Sequence, residues 1–441
     1  MPEGASAQPE ADPEVARLKA TAGWVGAIDR GVRFYEDPPE EPLLVSTPWS
    51  ELVVTPEDWA LAFDAPDPGT PHNEALEAIW EELLDLLVEQ DGGQAPAPTL
   101  RRILREDEEL RAALHRAWPM LEAEDLVGDL WTVPAYLRLC APWLSREEIR
   151  TLKRADGQAW TTSDLPLLDA ARHRLGDADA SRRLKRREAA LAAERAAREK
   201  VVDHLIATDD SEMHLMSMLR GADLQGALDD DAGVPAATPD LLAGPFAHVV
   251  VDEAQELTDA EWQMILARCP SRSLTIVGDR AQARHGFTES WDERLRRIGL
   301  DRIALSSLSI NYRTPAEVMA AAAPVILSAL PDANVPTSIR STGVPVHHGS
   351  RADLEAILAG WLAEHEEGVA CVIGEPSLEG SARIRSLTPE LAKGLEFDLV
   401  VLVDPETFGE PGSSEAAVDR YVAMTRATQR LVILTSGSAG E

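Results

Sequence analysis

An apolar run ends in two adjacent acids at Val249–Val250–Val251–Asp252–Glu253, followed by Ala254 and Gln255. Ligands of open parallel sheets gather at the carboxyl ends of the strands. At such an end Asp252 would hold Mg²⁺, directly or through water, and Glu253 would orient and deprotonate an attacking water. An ordinary strand entering a helix with acids in its first turn reads the same way. A second apolar run, Leu274–Thr275–Ile276–Val277, leads into Gly278–Asp279–Arg280–Ala281–Gln282. A glutamine at that place is suited to sensing a terminal phosphate, although a Gly-Asp turn closing a strand gives a similar pattern.

Three further segments carry chemistry. Asn311–Tyr312–Arg313–Thr314–Pro315 offers a guanidinium, Arg313, for a γ-phosphate whose charge spreads in the transition state. Thr388–Pro389–Glu390–Leu391–Ala392–Lys393–Gly394–Leu395–Glu396–Phe397–Asp398 enters the apolar run Leu399–Val403. Tyr421–Val422–Ala423–Met424–Thr425–Arg426–Ala427 supplies a second arginine, Arg426, in the manner of an arginine finger. Taken singly, each segment also has an ordinary structural reading.

These side chains need a scaffold, and the pattern after residue 245 provides one. Short β-branched runs at His248–Asp252, Leu274–Gly278, Ile303–Leu308, Val369–Ile373, Leu399–Val403 and Leu431–Thr435 alternate with helical periodicity. Buried parallel strands read in this way, so the C-terminal part is expected to be α/β. The preceding part has a different texture. Leu43–Val45 and Leu52–Val54 predict a short hairpin. Glu74–Glu89 repeats apolar residues at helical spacing, and Ser145 before Glu147 and Glu148 marks a helix start. Ser181–Ile206 has no Gly or Pro and predicts a long solvated helix. Its basic cluster of Arg182, Arg183, Lys185, Arg186 and Arg187 reads either as a solvated face or as a phosphate contact. Asp229–Pro245 reads as a linker.

Composition narrows the partners. The 441 residues hold 42 Lys and Arg against 76 Asp and Glu, a net charge of −34. Residues 1–100 contribute 4 basic against 21 acidic side chains. Polyanion binding is driven by Lys and Arg releasing counterions, so nucleic acid is expected to touch the surface only locally. An acidic surface suits docking into a basic channel of another protein. Cys140, Cys269 and Cys371 form no CxxC pair, which excludes a cysteine zinc site and a disulfide framework and fits a reducing cytoplasm. The acidic N-terminus is not expected to be a signal peptide, and no run approaches the ~20 apolar residues of a membrane span.

The order DEAQ, VGDRAQ, NYRTP, AKGLEFD, YVAMTRA over roughly residues 245–436 closely resembles the later motifs of the UvrD/Rep superfamily 1 helicases. The resemblance implies RecA-like lobes that sandwich ATP. It implies Asp252 and Glu253 as the Mg²⁺ and water residues, Gln282 as the γ-phosphate sensor, and Arg313 and Arg426 as the phosphate arginines. Glu396 would contact the ribose, with Lys393 and Gly394 shaping its loop. The expected architecture is a largely helical insertion over 1–241, the remainder of an incomplete first lobe over 242–305, and a second lobe over 306–441.

The sequence departs from that family in two ways. No Gly-Lys pair occurs, so the G-x-x-x-x-G-K-[ST] loop that cradles phosphates is missing. Only 80 residues separate Arg313 from Lys393, too few for a large strand-separating insertion. The long acidic and helical segment before DEAQ looks like the HelD branch, whose members act on bacterial RNA polymerase. RNA polymerase is therefore the expected partner and DNA a weaker one, with a complementing N-terminal chain also in view. A half sheet lacking its central strands is expected to expose an edge and an apolar face. Two alternatives stay open: a UvrD/Rep-type DNA helicase or repair translocase fragment, and a catalytically dead binding module.

Overall fold

A computed structural model describes residues 6–177, 242–283, 287, 289–410 and 412–437. Two compact units emerge, Met1–Pro245 with Asp259–Arg268, and Phe246–Thr258 with Cys269–Glu441. The Ser181–Ile206 segment with its basic cluster, and nearly all of the linker before Pro245, lie outside the described residues.

Among its described residues the first unit is helical apart from one hairpin and an isolated bridge between Gln8 and Thr161. Strands β1 (Leu43–Ser46) and β2 (Glu51–Val54) pair antiparallel, as the sequence predicts. The helix expected over 74–89 spans His72–Gln90 and buries Ile79, Leu83, Leu84 and Leu87 on one face. Ser145 caps Arg146–Leu152 through a full capping box with Glu148. Tryptophans fill a core in which Trp24 meets Trp131 edge-on at 5.3 Å and donates Nε1–H to the Leu18 carbonyl. The helix Asp259–Arg268 belongs to this unit although it follows DEAQ directly. Arg268 donates to Asp169 at 2.7 Å, and Trp262 is fully buried.

Charged groups are also sealed inside this unit. Lys19 and Asp164 are both buried and lie 2.9 Å apart, with Glu10 3.1 Å from the same ammonium and Arg154 2.9 Å from the same carboxylate. Burial alone would raise the Asp164 pKa. The Lys19 charge, the Thr161 amide and Arg154 outweigh it and hold the carboxyl below its usual range. Glu36 behaves likewise: burial raises it, but hydrogen bonds from His72 and Arg174 bring it below the usual value. A carboxyl with a depressed folded pKa adds stability above its unfolded pKa, and that stability is lost as pH falls through the folded value. The melting temperature of this unit is therefore expected to drop between about pH 5 and about pH 3. Circular dichroism melts across that range would show it. A flat profile would mean that neither pair contributes.

The second unit is a three-layer α/β sandwich. Five parallel strands run in the order β7 (His347–Ser350), β11 (Ala427–Thr435), β10 (Phe397–Val403), β8 (Ala370–Ile373), β9 (Ile384–Leu387). The central strand reads FDLVVLV, and Leu399–Val403 is buried throughout because helices cover both faces. Ala316–Ala329 and Ser414–Thr425 pack with Val400, Leu402 and Leu431, while Leu354–Glu364 packs with Leu399, Val401 and Val432. Two smaller parallel pairs stand apart from this sheet: β3 (Val249–Val251) with β4 (Leu274–Ile276), and β5 (Ile310–Asn311) with β6 (Thr337–Ser338).

The expected strand Ile303–Leu308 does not form. It has no ladder partner among the described residues, and Leu308 is 80% exposed. A β-prone run becomes a strand only when a neighbour takes up its backbone donors and acceptors. No helix among the described residues is long and apolar enough to cross a membrane.

Candidate functional site

Each motif is positioned by a recognisable local device. At the end of β3 the chain turns sharply because Glu253 adopts the left-handed conformation, φ 52 and ψ 35. That conformation costs a non-glycine residue roughly 1–3 kcal/mol and persists where surrounding contacts fix it. Here Gln255 fixes it, donating Nε2–H to the Glu253 carboxylate at 2.5 Å while its Oε1 accepts from the Asp279 amide at 3.0 Å. One amide side chain thus ties DEAQ to the turn after β4. Asp279 orients that turn, accepting from the Ala281 amide and from Gln282 Nε2, both at 2.9 Å.

Gly278 makes the close approach feasible. A Cβ there would lie 2.7 Å from the Trp291 ring and 2.8 Å from Gln255 Oε1. Gly278→Ala is therefore expected to cost about 1–3 kcal/mol, in the manner of overpacking, and to release Gln255 from Asp279. Urea unfolding of the purified variant measures the loss, and a variant as stable as wild type would show that the contact is loose.

Arg313 is aimed by Asn311, whose Oδ1 accepts from the Arg313 and Thr314 amides at 2.8 and 3.1 Å. Thr314 is buried and donates to the Thr425 carbonyl at 3.3 Å, which fastens NYRTP to the segment carrying Arg426. Arg426 sits at the junction of Ser414–Thr425 and β11 and is only 7% exposed. It donates Nε–H to the Val422 carbonyl at 3.1 Å and Nη2–H to Gln282 Oε1 at 3.2 Å. Burial pushes its pKa down first and the like charge of Arg313 adds to that, while Glu253 and Glu396 oppose them. The guanidinium therefore sits where a further anion would be favourable.

Five separated segments accordingly meet in one unit. Gln282 touches Arg426, and Arg313 Nε lies 2.7 Å from Glu396. Lys393 Nζ lies 2.5 Å from Glu256, 2.9 Å from the Gln282 carbonyl and 3.9 Å from Glu253. Gly394 takes φ 74, the left-handed turn that lets the chain pass from Lys393 to Glu396. Asp252 is exposed at the strand end, where its Oδ1 accepts from the Glu253 amide at 2.8 Å. A single carboxylate there fits Mg²⁺, which is normally held by one or two carboxylates together with waters and substrate phosphates. No cluster of three or more metal-ligating side chains occurs among the described residues.

Sequence reasoning passed over Glu256, Gln255 and Asp279. A signal for Glu256 was present. Ala254–Glu256 is a 3₁₀ turn, and residues i and i+3 of such a turn eclipse, which puts Glu256 on the side of Glu253. Glu396, which the resemblance made a ribose contact, pairs here with Arg313.

No protein-family model matches the chain, and no curated protein matches it. Solved structures similar to part of it include arterivirus nonstructural protein 10, a helicase, in complex with DNA. That match has 21% identity and a TM-score of 0.27, over 43% of this chain and 40% of that one. The same helicase in another crystal structure gives 20% identity and a TM-score of 0.26, over 43% and 39%. PRRSV nsp10, also a helicase, gives 16% identity and a TM-score of 0.18, over 46% and 42%. The chain spans about two fifths of the length of each of these helicases. The functional reading rests on this chain's own residues.

Proposed function

We propose that the chain is the nucleotide-facing portion of a superfamily 1 helicase-type motor, of the HelD kind, that uses ATP and Mg²⁺ to remodel or recycle RNA polymerase in the cytoplasm. The observation that carries this reading is the convergence of Glu253, Gln282, Arg313 and Arg426 from four segments far apart in sequence, with Lys393 and Glu396 arriving from a fifth. In this reading residues 242–305 are the remainder of the first lobe and 306–441 the second. Asp252 holds Mg²⁺, Glu253 prepares the attacking water, Gln282 senses the γ-phosphate and the two arginines neutralise it. The net charge of −34 supports a basic protein channel as the target over extended DNA.

The sequence contains no G-x-x-x-x-G-K-[ST] loop, so the pure chain is expected to hydrolyse ATP very slowly or not at all. Steady-state turnover with Glu253→Gln as control tests this, and robust turnover that disappears in the variant would sink the expectation. Retention of purified RNA polymerase by the chain supports the proposed target. Salt-sensitive single-strand DNA binding with unwinding would instead establish a UvrD/Rep-type translocase. The missing loop also favours a second reading, a binding module without catalysis. Polymerase binding indifferent to ATP identifies that case.

A further inference from the structure

Strand β9 closes the five-stranded sheet on one side, with β8 as its single neighbour among the described residues. The Ala370 amide donates to the Arg383 carbonyl at 2.9 Å, so Arg385 and Leu387 also turn their backbone groups towards β8. Ile384 and Ser386 turn theirs outward. The Ser381 turn takes up those of Ile384: its hydroxyl accepts from the Ile384 amide at 3.1 Å, and its amide donates to the Ile384 carbonyl at 2.8 Å. Ser386 keeps an outward donor and an outward acceptor, the pair that an added strand engages.

A cavity of about 830 Å³ lies against this edge, and all four residues of β9 line it. The volume falls in the range of roughly 300–1,000 Å³ usual for ligand pockets. Other walls come from the loops that follow β8 and β10, including Gly374 and Phe408, and from Thr388–Leu391. Those loops leave the carboxyl ends of parallel strands, where ligands of such sheets gather. Glu396 and Arg426 immediately precede β10 and β11 and so belong to the opposite end of the sheet. The cavity is therefore separate from the candidate site described above.

Charge and shape indicate its occupant. Glu375, Glu390 and Asp419 line the cavity against one cation, Arg385. Glu375 is buried and held by Arg351, whereas Glu390 is exposed and Asp419 half-buried. A polyanion meets such a lining unfavourably. A lysine or arginine side chain suits it, with its aliphatic stem on Leu387 and Leu391 and its charged head among the acids. A free amine would use the carboxylates and leave the strand edge unused.

We propose that the β9 edge and this cavity form a groove for an extended basic segment of a partner protein, which adds a strand through Ser386 and seats an arginine or lysine side chain in the cavity. The proposal does not depend on the nucleotide reading. Its test uses the full chain and a fluorescein-labelled peptide of about seven residues in which valine and arginine alternate. Fluorescence anisotropy at about 0.15 M salt reads binding, and hydrogen exchange reads protection of Ile384–Leu387. A chain of net charge −34 attracts any basic peptide, so comparisons at equal peptide charge decide the matter. A peptide N-methylated at alternate residues, made in both phases, cannot pair along the edge and should bind roughly tenfold more weakly. Glu390→Gln with Asp419→Asn should weaken the unmethylated peptide by a similar factor. Glu390→Gln alone, at an exposed position, should keep the wild-type circular dichroism spectrum and weaken it about threefold.

Saturable binding that protects β9 and follows these differences supports the groove. Equal binding of both methylated peptides, no protection within β9, or an affinity unchanged in Glu390→Gln overturns it. Spermidine displacing the peptide at equal concentration overturns it in favour of a free amine. Protection of β9 by single-stranded oligothymidylate overturns it in favour of nucleic acid.

Discussion

Asp164→Ala is expected to destabilise the helical unit by about 3–5 kcal/mol, the usual cost of breaking a buried ion pair from one side. The carboxylate is fully buried and serves two cations, Lys19 at 2.9 Å and Arg154 at 2.9 Å. Both cations also face the Trp131 ring, at 4.9 and 5.6 Å. Removing Asp164 leaves Lys19 buried with Glu10 as its remaining ion-pair partner. A domain commonly holds about 5–15 kcal/mol in total, so the loss removes a large share of what keeps this unit folded. Lys19→Met in the Asp164→Ala background should recover part of it, because the stranded charge is gone. Urea unfolding followed by tryptophan fluorescence suits the measurement, since nine of the eleven tryptophans lie in this unit. A loss below about 1 kcal/mol, or no recovery in the double variant, would show that the cluster is not held as a unit.

The second large effect concerns Arg426. Arg426→Ala should weaken binding of ATP and of inorganic tripolyphosphate about ten- to a hundredfold, the worth of charge-assisted hydrogen bonds of roughly 1.5–3 kcal/mol. Arg426→Lys should restore little. The native side chain spans from the Val422 carbonyl to Gln282 with two different nitrogens, a geometry that a single ammonium does not reproduce. Arg313→Ala should cost less, because Arg313 is half exposed and already neutralised by Glu396. NMR titration reads binding in the weak range expected without a phosphate loop. Equal affinity in wild type and Arg426→Ala would remove the two-arginine site from consideration. Parallel effects on ATP and tripolyphosphate would place the contact on the phosphates rather than on the nucleoside.

The sheet strands were legible where burial on both faces leaves a continuous apolar run. Leu399–Val403 and Val369–Ile373 each lie within a residue or two of an observed strand. The hairpin and the Ser145 cap were legible because turn and capping chemistry is local. Ile303–Leu308 misled because strand propensity says nothing of whether a partner exists. Asp259–Arg268 was unreadable as part of the helical unit, since its docking depends on Ala260 donating to the Ala20 carbonyl, a contact far away in sequence. At the site the motif residues could be named, but the cross-links could not. The Lys393–Glu256 pair joins positions 137 residues apart, and only folding brings them together.

That pair has a consequence for chemical labelling. The chain has five lysines. Lys19 is sealed beneath carboxylates, Lys153 is exposed, and Lys393 is clasped by Glu256 with 16% of its side chain accessible. Acylating reagents attack only the neutral, unhindered amine. The acylation rate at Lys393, measured against Lys153 by peptide mass spectrometry, therefore serves as a clock for how often its loop lets go of the DEAQ turn.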